Sequence, residues 1–260
     1  MNCNRHIWKL TCCLALAVLV TGSCRDRAGE IQKPNVLLII CDDLNDSVEG
    51  MGGHPQARTP HLANLALQGI RFTSAHSADP ICGPSRASFL TGMYPSALGV
   101  DGNGVPRFPE AHAERLVPRR LAEAGYDCGL VGKLHLCSAY GGREPRVNDG
   151  YDYFQYSHSP KGANLPGHDY ARWIAEQGSD PEQVMGPTVK KEEYREGERL
   201  RGFGGLAVPT PENDTIPPEL HQTHWCTEKA IEFIGRRREG PWMLSVNPFD
   251  PHPPFDAPWE

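Results

Sequence analysis

The sequence has no excess of positive charge. Its 26 Lys+Arg stand against 32 Asp+Glu, a net charge of −6, and no polybasic patch occurs. Nucleic-acid binding needs a concentrated basic surface, so that class is excluded. The apolar run Leu10–Val20 is too short to span a bilayer. No CxxC spacing marks a zinc site or a redox pair, and no internal repeat suggests a solenoid. With 39% hydrophobic and 22% charged residues, disorder, collagen-like structure and a long coiled coil are also excluded. What the sequence does have is 27 Gly and 24 Pro, which favour tight connections and long loops over a helical bundle. A chain of 260 residues suits one large domain.

The first two dozen residues read as a leader. Arg5 and Lys9 precede the run Leu10–Val20, in the manner of an export signal, and Thr21-Gly22-Ser23 places small residues before Cys24. The expectation is an exported, periplasmic or cell-surface protein with signal peptide 1–24 and linker 25–33. Cys24 is then the lipid-bearing residue of an outer-membrane lipoprotein, with plain signal cleavage as the alternative. Four of the nine cysteines fall in this leader, leaving Cys41, Cys82, Cys128, Cys137 and Cys226. An odd number in an exported chain leaves at least one cysteine for another task.

Beyond the linker, Val36–Ile40 is a continuous apolar run, as in a strand buried on both faces, and it ends at Asp42-Asp43. Ligands of open α/β sheets sit beyond the carboxyl ends of strands, so these paired carboxylates are a candidate metal or phosphate-type site. The competing reading is an Asp cap on the next turn. Thr59-Pro60 starts a scaffold helix with Leu62, Leu65 and Ala66 on its apolar face and Gly69 as its stop. A short strand follows at Ile70–Thr73. Pro84 and Ser85 suit a helix start, with Cys82 just before it. A helix over Arg115–Ala124 leads to a strand over Tyr126–Val131, which ends at Gly132-Lys133-Leu134-His135. Residues 138–217 read as long loops with one helix near Tyr170–Gln177, and Lys190–Arg201 as a solvated charged segment. The strongest helix, Pro218–Ile234, counts Leu220, Trp225 and Ile231 as apolar members. A strand at Trp242–Val246 then runs into Asn247-Pro248-Phe249-Asp250-Pro251-His252. This alternation predicts an α/β fold.

Cys82-Gly83-Pro84-Ser85-Arg86, followed by Leu90-Thr91-Gly92, resembles the C-x-P-S-R…L-T-G signature of the sulfatases. Pro34–Asp43 looks like that family's first strand with its metal carboxylates, Gly132–His135 like its G-K-x-H element, and Asp250–Pro254 like a later motif, all in the family order. The resemblance implies an alkaline-phosphatase-like fold: a mixed, largely parallel sheet with helices on both faces, residues 34–260 forming its N-terminal part and the C-terminal part missing. It implies a sulfuric ester hydrolase acting on sulfate esters, sulfated glycans among them. Cys82 would be converted by a formylglycine-generating enzyme to formylglycine (3-oxoalanine), whose hydrate attacks sulfur with one oxygen and expels sulfate with the other. Asp42, Asp43 and residue 82 would hold one divalent cation, Ca²⁺ by the all-oxygen ligation of an exported protein. Further ligands, an Asp-Asn or Asp-His motif and a lysine, would lie beyond Glu260.

Each remaining residue receives a role from the same resemblance. Arg86, one helical turn after Cys82, holds the modified residue; Lys133 binds the sulfate oxygens; His135, on the same face as Lys133 in an extended chain, removes a proton from the hydrate; His252 binds substrate and serves the leaving alkoxide. Two alternatives stay open. The same superfamily contains phosphomonoester and phosphonate hydrolases, and a chain without the later ligands or the modification would be an inactive glycan-binding relative.

Overall fold

The computed structural model describes residues 33–46, 48, 53–139, 143–159, 167–185 and 216–252. The leader with Cys24, most of the linker, the charged segment 190–201 and Pro253-Pro254 therefore lie outside the described residues. Among the described residues no helix is long and apolar enough to cross a membrane.

Four strands form one sheet, β1 (Val36–Ile39), β2 (Asp127–Gly132), β3 (Tyr153–Tyr156) and β4 (Trp242–Asn247), in the order β1-β4-β2-β3. Every pairing is parallel, so all four carboxyl ends lie along one margin of the sheet. The register sets Ile39 beside Val246, Gly132 beside Asn247 and Gly132 beside Tyr156. Three of the four motifs named from sequence follow β1, β2 and β4, and the topology brings them to that margin.

Alternate residues of the central strands feed two cores. On one face, Val131, Leu244 and Val246 pack with Trp225, Cys226, Ala230 and Phe233 of α7 (Gln222–Ile234), and with Tyr170, Trp173 and Ile174 of α5 (Asp169–Glu176). On the other, Cys128, Leu130 and Met243 pack with Ala87 and Leu90 of α2 (Cys82–Thr91), Leu98 of α3 (Pro95–Leu98) and Leu116, which precedes α4 (Val117–Glu123). Helices cover both faces, as the pattern predicts. Gly129 permits the approach of α7: a Cβ there would sit 2.7 Å from the Phe233 ring.

The expected elements shift in places, each for a physical reason. The Pro218–Ile234 helix is divided: Pro218–Leu220 is a 3₁₀ turn, and His221 caps α7 by accepting the Thr223 N–H at 3.3 Å. Ile231 lies in water, because the buried stripe runs through Trp225, Cys226, Ala230 and Phe233. The helix at Thr59 forms as α1 (Pro60–Gln68) but buries none of its residues. Ile70–Thr73 is not a strand; Ile70 and Phe72 are exposed. β1 is half-buried, and only on the face of Val36 and Leu38, since no described element covers Leu37 and Ile39. β3 and the short helix α6 (Pro181–Met185) arise within the stretch read as loops.

Two predictions follow from this packing. Residues 34–260 produced alone bind a hydrophobic dye strongly, and changing Leu67 and Phe72 to Ser lowers dye fluorescence without lowering the melting temperature; dye binding as weak as that of a typical monomeric domain would contradict the exposure of these side chains. Gly132, at φ +97°, has room for no side chain, as a Cβ would lie 2.0 Å from the Asn247 carbonyl oxygen. Gly132→Ala should therefore cost at least about 3 kcal/mol in a denaturant melt.

Candidate active site

The site starts where β1 leaves the sheet. The Ile40 N–H donates to the Val246 carbonyl at 2.9 Å and the Asp42 N–H to the Pro248 carbonyl at 3.3 Å, so the chain stays zipped to β4's extension until Asp42. Asp42 is buried, whereas Asp43, at φ 58°, turns outward and stays half-exposed. Asp42 meets two cations. Arg86 Nη2 donates to its Oδ1 at 3.0 Å, and Lys133 Nζ donates to its Oδ2. Burial opposes ionisation of Asp42, but the Arg86 and Lys133 charges and their hydrogen bonds outweigh it and hold its pKa below the usual carboxylate value.

Lys133 is placed by backbone. Its N–H donates to the Asn247 carbonyl at 3.0 Å, and its own carbonyl accepts from Asn247 Nδ2 at 2.7 Å and from Arg86 Nη1 at 2.8 Å. Its ammonium also lies 5.3 Å from the centre of the Phe249 ring. Arg86 is buried at the second turn of α2, where its guanidinium spans the ends of β1 and β2.

Cys82 is the first residue of α2 rather than the residue before it. The sequence around it has local reasons. Gly83 donates its N–H to Asn103 Oδ1 at 2.8 Å, capping a helix start whose N-cap, Ile81, has no capping side chain. Pro84 occupies a position whose N–H would lack a helical partner. At the other end Leu90 is buried, Thr91 Oγ1 donates to the Ala87 carbonyl at 2.7 Å, and Gly92 closes the helix at φ 70°. Burial is the largest influence on the Cys82 thiol and its pKa is raised, with Lys133 and Arg86 opposing and Asp42 and Asp43 reinforcing the shift. As a bare cysteine this residue is a protonated thiol, not a poised thiolate.

The ligating atoms of Asp42, Cys82 and His252 all lie within 4.8 Å of one another. His252 Nε2 also approaches Asp43 Oδ2 at 3.7 Å, and its ring packs on Phe249 at 4.4 Å. The structure thus unites Asp42, Asp43, Cys82, Arg86, Lys133 and His252. Two adjacent carboxylates, one of them held ionised, are hard oxygen donors that suit a divalent cation of the Ca²⁺ or Mg²⁺ type. The thiol of Cys82 stands where a modified residue would present oxygen.

His135 reaches the same neighbourhood by a different route from the one expected. The chain is not extended through Lys133: β2 ends at Gly132 and His135 adopts φ 56°. Its imidazole packs edge-on against His158 with centroids 4.4 Å apart, and Nδ1 of both rings is buried without a hydrogen-bond partner. Burial, then the charges of Lys133, Arg86 and His252, push the His135 pKa down to about 3. His135 is therefore neutral at physiological pH.

Sequence reasoning missed the groups that support this arrangement. Glu144 is buried, its carboxylate pushed up to about 7 by burial even though two backbone N–H groups oppose the shift. Gln222, fully buried at the start of α7, donates to Ser157 Oγ at 3.2 Å and accepts the Phe249 N–H at 3.0 Å, tying the ends of β3 and β4 together. His158 follows β3, and a strand recognised there would have marked it as another strand-end residue. The five cysteines outside the leader are all free thiols, and Cys128, Cys137 and Cys226 are buried.

Comparison with known proteins agrees with this geometry. The family model described as Sulfatase matches residues 34–260. The mouse N-acetylgalactosamine-6-sulfatase is 36% identical over 239 residues, covering 84% of this chain and 39% of the relative. The ulvan-active sulfatase of Formosa agariphila is 32% identical over 188 residues, covering 67% of this chain and 34% of the relative. Among solved structures, the phosphonate monoester hydrolase of Agrobacterium radiobacter superposes with a TM-score of 0.56 at 26% identity, covering 87% of this chain and 42% of that one. The chain spans less than half the length of these relatives. With the signature helix, the strand-end carboxylates and the Lys133 turn meeting at one margin of a parallel sheet, and the family match running from residue 34 to residue 260, the chain belongs to the sulfatase family.

Proposed function

We propose that this chain is the nucleophile-bearing part of a sulfuric ester hydrolase that acts on sulfated glycans through a formylglycine made from Cys82. One observation carries the reading: Cys82 opens α2 beside Asp42 and His252, while Arg86 and Lys133 both bind Asp42. Arg86 and Lys133 balance Asp42 and Asp43 in charge, so a divalent cation held by the two carboxylates would give the site the positive charge that a sulfate group placed there would neutralise. Relatives named for N-acetylgalactosamine-6-sulfate and ulvan support a sulfated sugar as substrate.

Asp42, Asp43 and the oxygen of a modified residue 82 would hold the divalent cation, Ca²⁺ by our reading. Together, cation and formylglycine would supply an activated geminal hydroxyl as nucleophile. The chain's own residues do the remaining work. Lys133 presents its ammonium to the sulfate oxygens, and Arg86 fixes both Asp42 and the Lys133 carbonyl, so the cationic floor does not shift as charge moves. His135, kept neutral by burial and by the charges of Lys133 and Arg86, accepts the proton released when sulfate is expelled; a bound anion raises its proton affinity by offsetting Lys133 and Arg86. His252, partly exposed and beside Asp43, faces the leaving alkoxide. The formylglycine-generating enzyme is a required partner. The leader run Leu10–Val20 supports export, with a lipid anchor at Cys24.

The phosphonate hydrolase likeness favours a second reading, phosphonate or phosphate ester hydrolysis at the same site. Competing the whole protein on matched aryl sulfate, phosphate and phosphonate esters decides between them. The expected result is a higher kcat/KM for the sulfate.

The modification itself is checked by mass. The tryptic peptide containing Cys82, from protein coexpressed with a formylglycine-generating enzyme, should be about 18 Da lighter than the thiol form, the difference between CH₂SH and CHO. Cys82→Ala should abolish turnover and leave folding intact. An unmodified peptide from fully active enzyme would refute the mechanism. Asp42→Asn removes the carboxylate that Arg86 and Lys133 share, so we expect about 3–5 kcal/mol of lost stability together with loss of bound divalent metal by elemental analysis. Undiminished metal content in a folded Asp42→Asn protein would remove Asp42 from the ligand set.

A further inference from the structure

One buried carboxylate with no part in the chemistry above governs the turn that carries His135. Lys133 still donates its N–H to the Asn247 carbonyl, but beyond it the chain leaves the sheet, and the N–H groups of His135 and Leu136 need partners away from the ladder. Glu144 receives two of them: the His135 N–H donates to Oε2 at 2.7 Å and the Leu136 N–H to Oε1 at 2.9 Å. Glu144 is 2% exposed, and among the described residues its carboxylate forms no ion pair, with only the Tyr156 hydroxyl as a further, long contact at 3.5 Å. His135 sits at φ 56°, a conformation L-residues rarely adopt, so something must hold it there. Its ring does not, since Nδ1 has no partner and the ring rests edge-on against His158. The backbone turn therefore sets the direction of the imidazole.

We propose that Glu144 is a positioning residue: by clamping the His135 and Leu136 N–H groups with its two oxygens it fixes the left-handed turn after β2 and, through it, the His135 imidazole in the site. A carboxylate does this where an amide cannot, because Gln offers one acceptor oxygen and turns an NH₂ toward the other backbone N–H. The catalytic consequence rests on the role proposed above for His135; the clamp itself does not.

The test uses the whole protein and Glu144→Gln. In the wild type, the amide protons of His135 and Leu136 exchange as slowly as those of β2; exchange at the rate of an exposed loop would overturn the clamp without any variant. In Glu144→Gln we expect faster exchange at one or both of these amides and a moved imidazole Cε1–H resonance of His135, assigned by its disappearance in His135→Gln. We also expect kcat on an aryl sulfate to fall about 10- to 100-fold with KM changed less than about twofold, the signature of a misplaced group rather than lost binding. Unchanged exchange and an unmoved resonance would overturn the proposal; a kcat equal to wild type once the resonance has moved would overturn its catalytic consequence and the role of His135 on which that consequence rests. If the wild-type protein does not turn over sulfate esters, the functional reading fails, while exchange and resonance still decide the clamp.

Discussion

The carboxylate of Asp42 is the point on which this structure turns. It ends β1, accepts Arg86 from α2 and Lys133 from beyond β2, and so joins three elements distant in sequence through one group. Taking three charges out of water costs several kcal/mol per ion, and the cost is offset only where each charge finds close partners. Arg86 has two, the Asp42 carboxylate and the Lys133 carbonyl, and that carbonyl is further held by Asn247. The arrangement is better at fixing geometry than at adding stability.

The parallel sheet makes this meeting possible. In a parallel arrangement every strand leaves the sheet at the same margin, so the residues following β1, β2, β3 and β4 become neighbours without long excursions. Close backbone approach then sharpens it. Gly132 lets β2 run against the Asn247 carbonyl, Lys133 is bonded to that residue in both directions, and Gln222 draws Ser157 and Phe249 together from α7. Side chains that do the chemistry thus rest on backbone contacts, which move less than rotamers do.

The parts legible in the sequence are those where one local signal forces one outcome. A run of β-branched and apolar residues ending in charge, as before Asp42 and Lys133, identifies a strand of the sheet and the margin where it ends, and six of the seven residues named for the site do converge there. The errors come from burial, which is set by what covers an element. Leu37, Ile39, Ile70 and Phe72 have the right composition for a core but no described neighbour over them. Ile231 lies in a true helix on the wrong side of its stripe. β3 is four residues long at the sheet margin, too short for periodicity to separate it from a loop. Glu144 gave no signal, because its partners are backbone N–H groups, which every residue possesses.

The ionisation of the site narrows the chemistry it supports. A cysteine protease-like mechanism needs a thiolate, favoured by nearby cations; here Arg86 and Lys133 are close to Cys82, yet burial and the acids Asp42 and Asp43 prevail and the thiol stays protonated. The cations are instead committed to Asp42. Burial, then those same cations, keep His135 neutral. A protonated thiol, two cations bound to one carboxylate and a neutral buried imidazole therefore meet at one margin of the sheet, and none of them is arranged for thiolate chemistry.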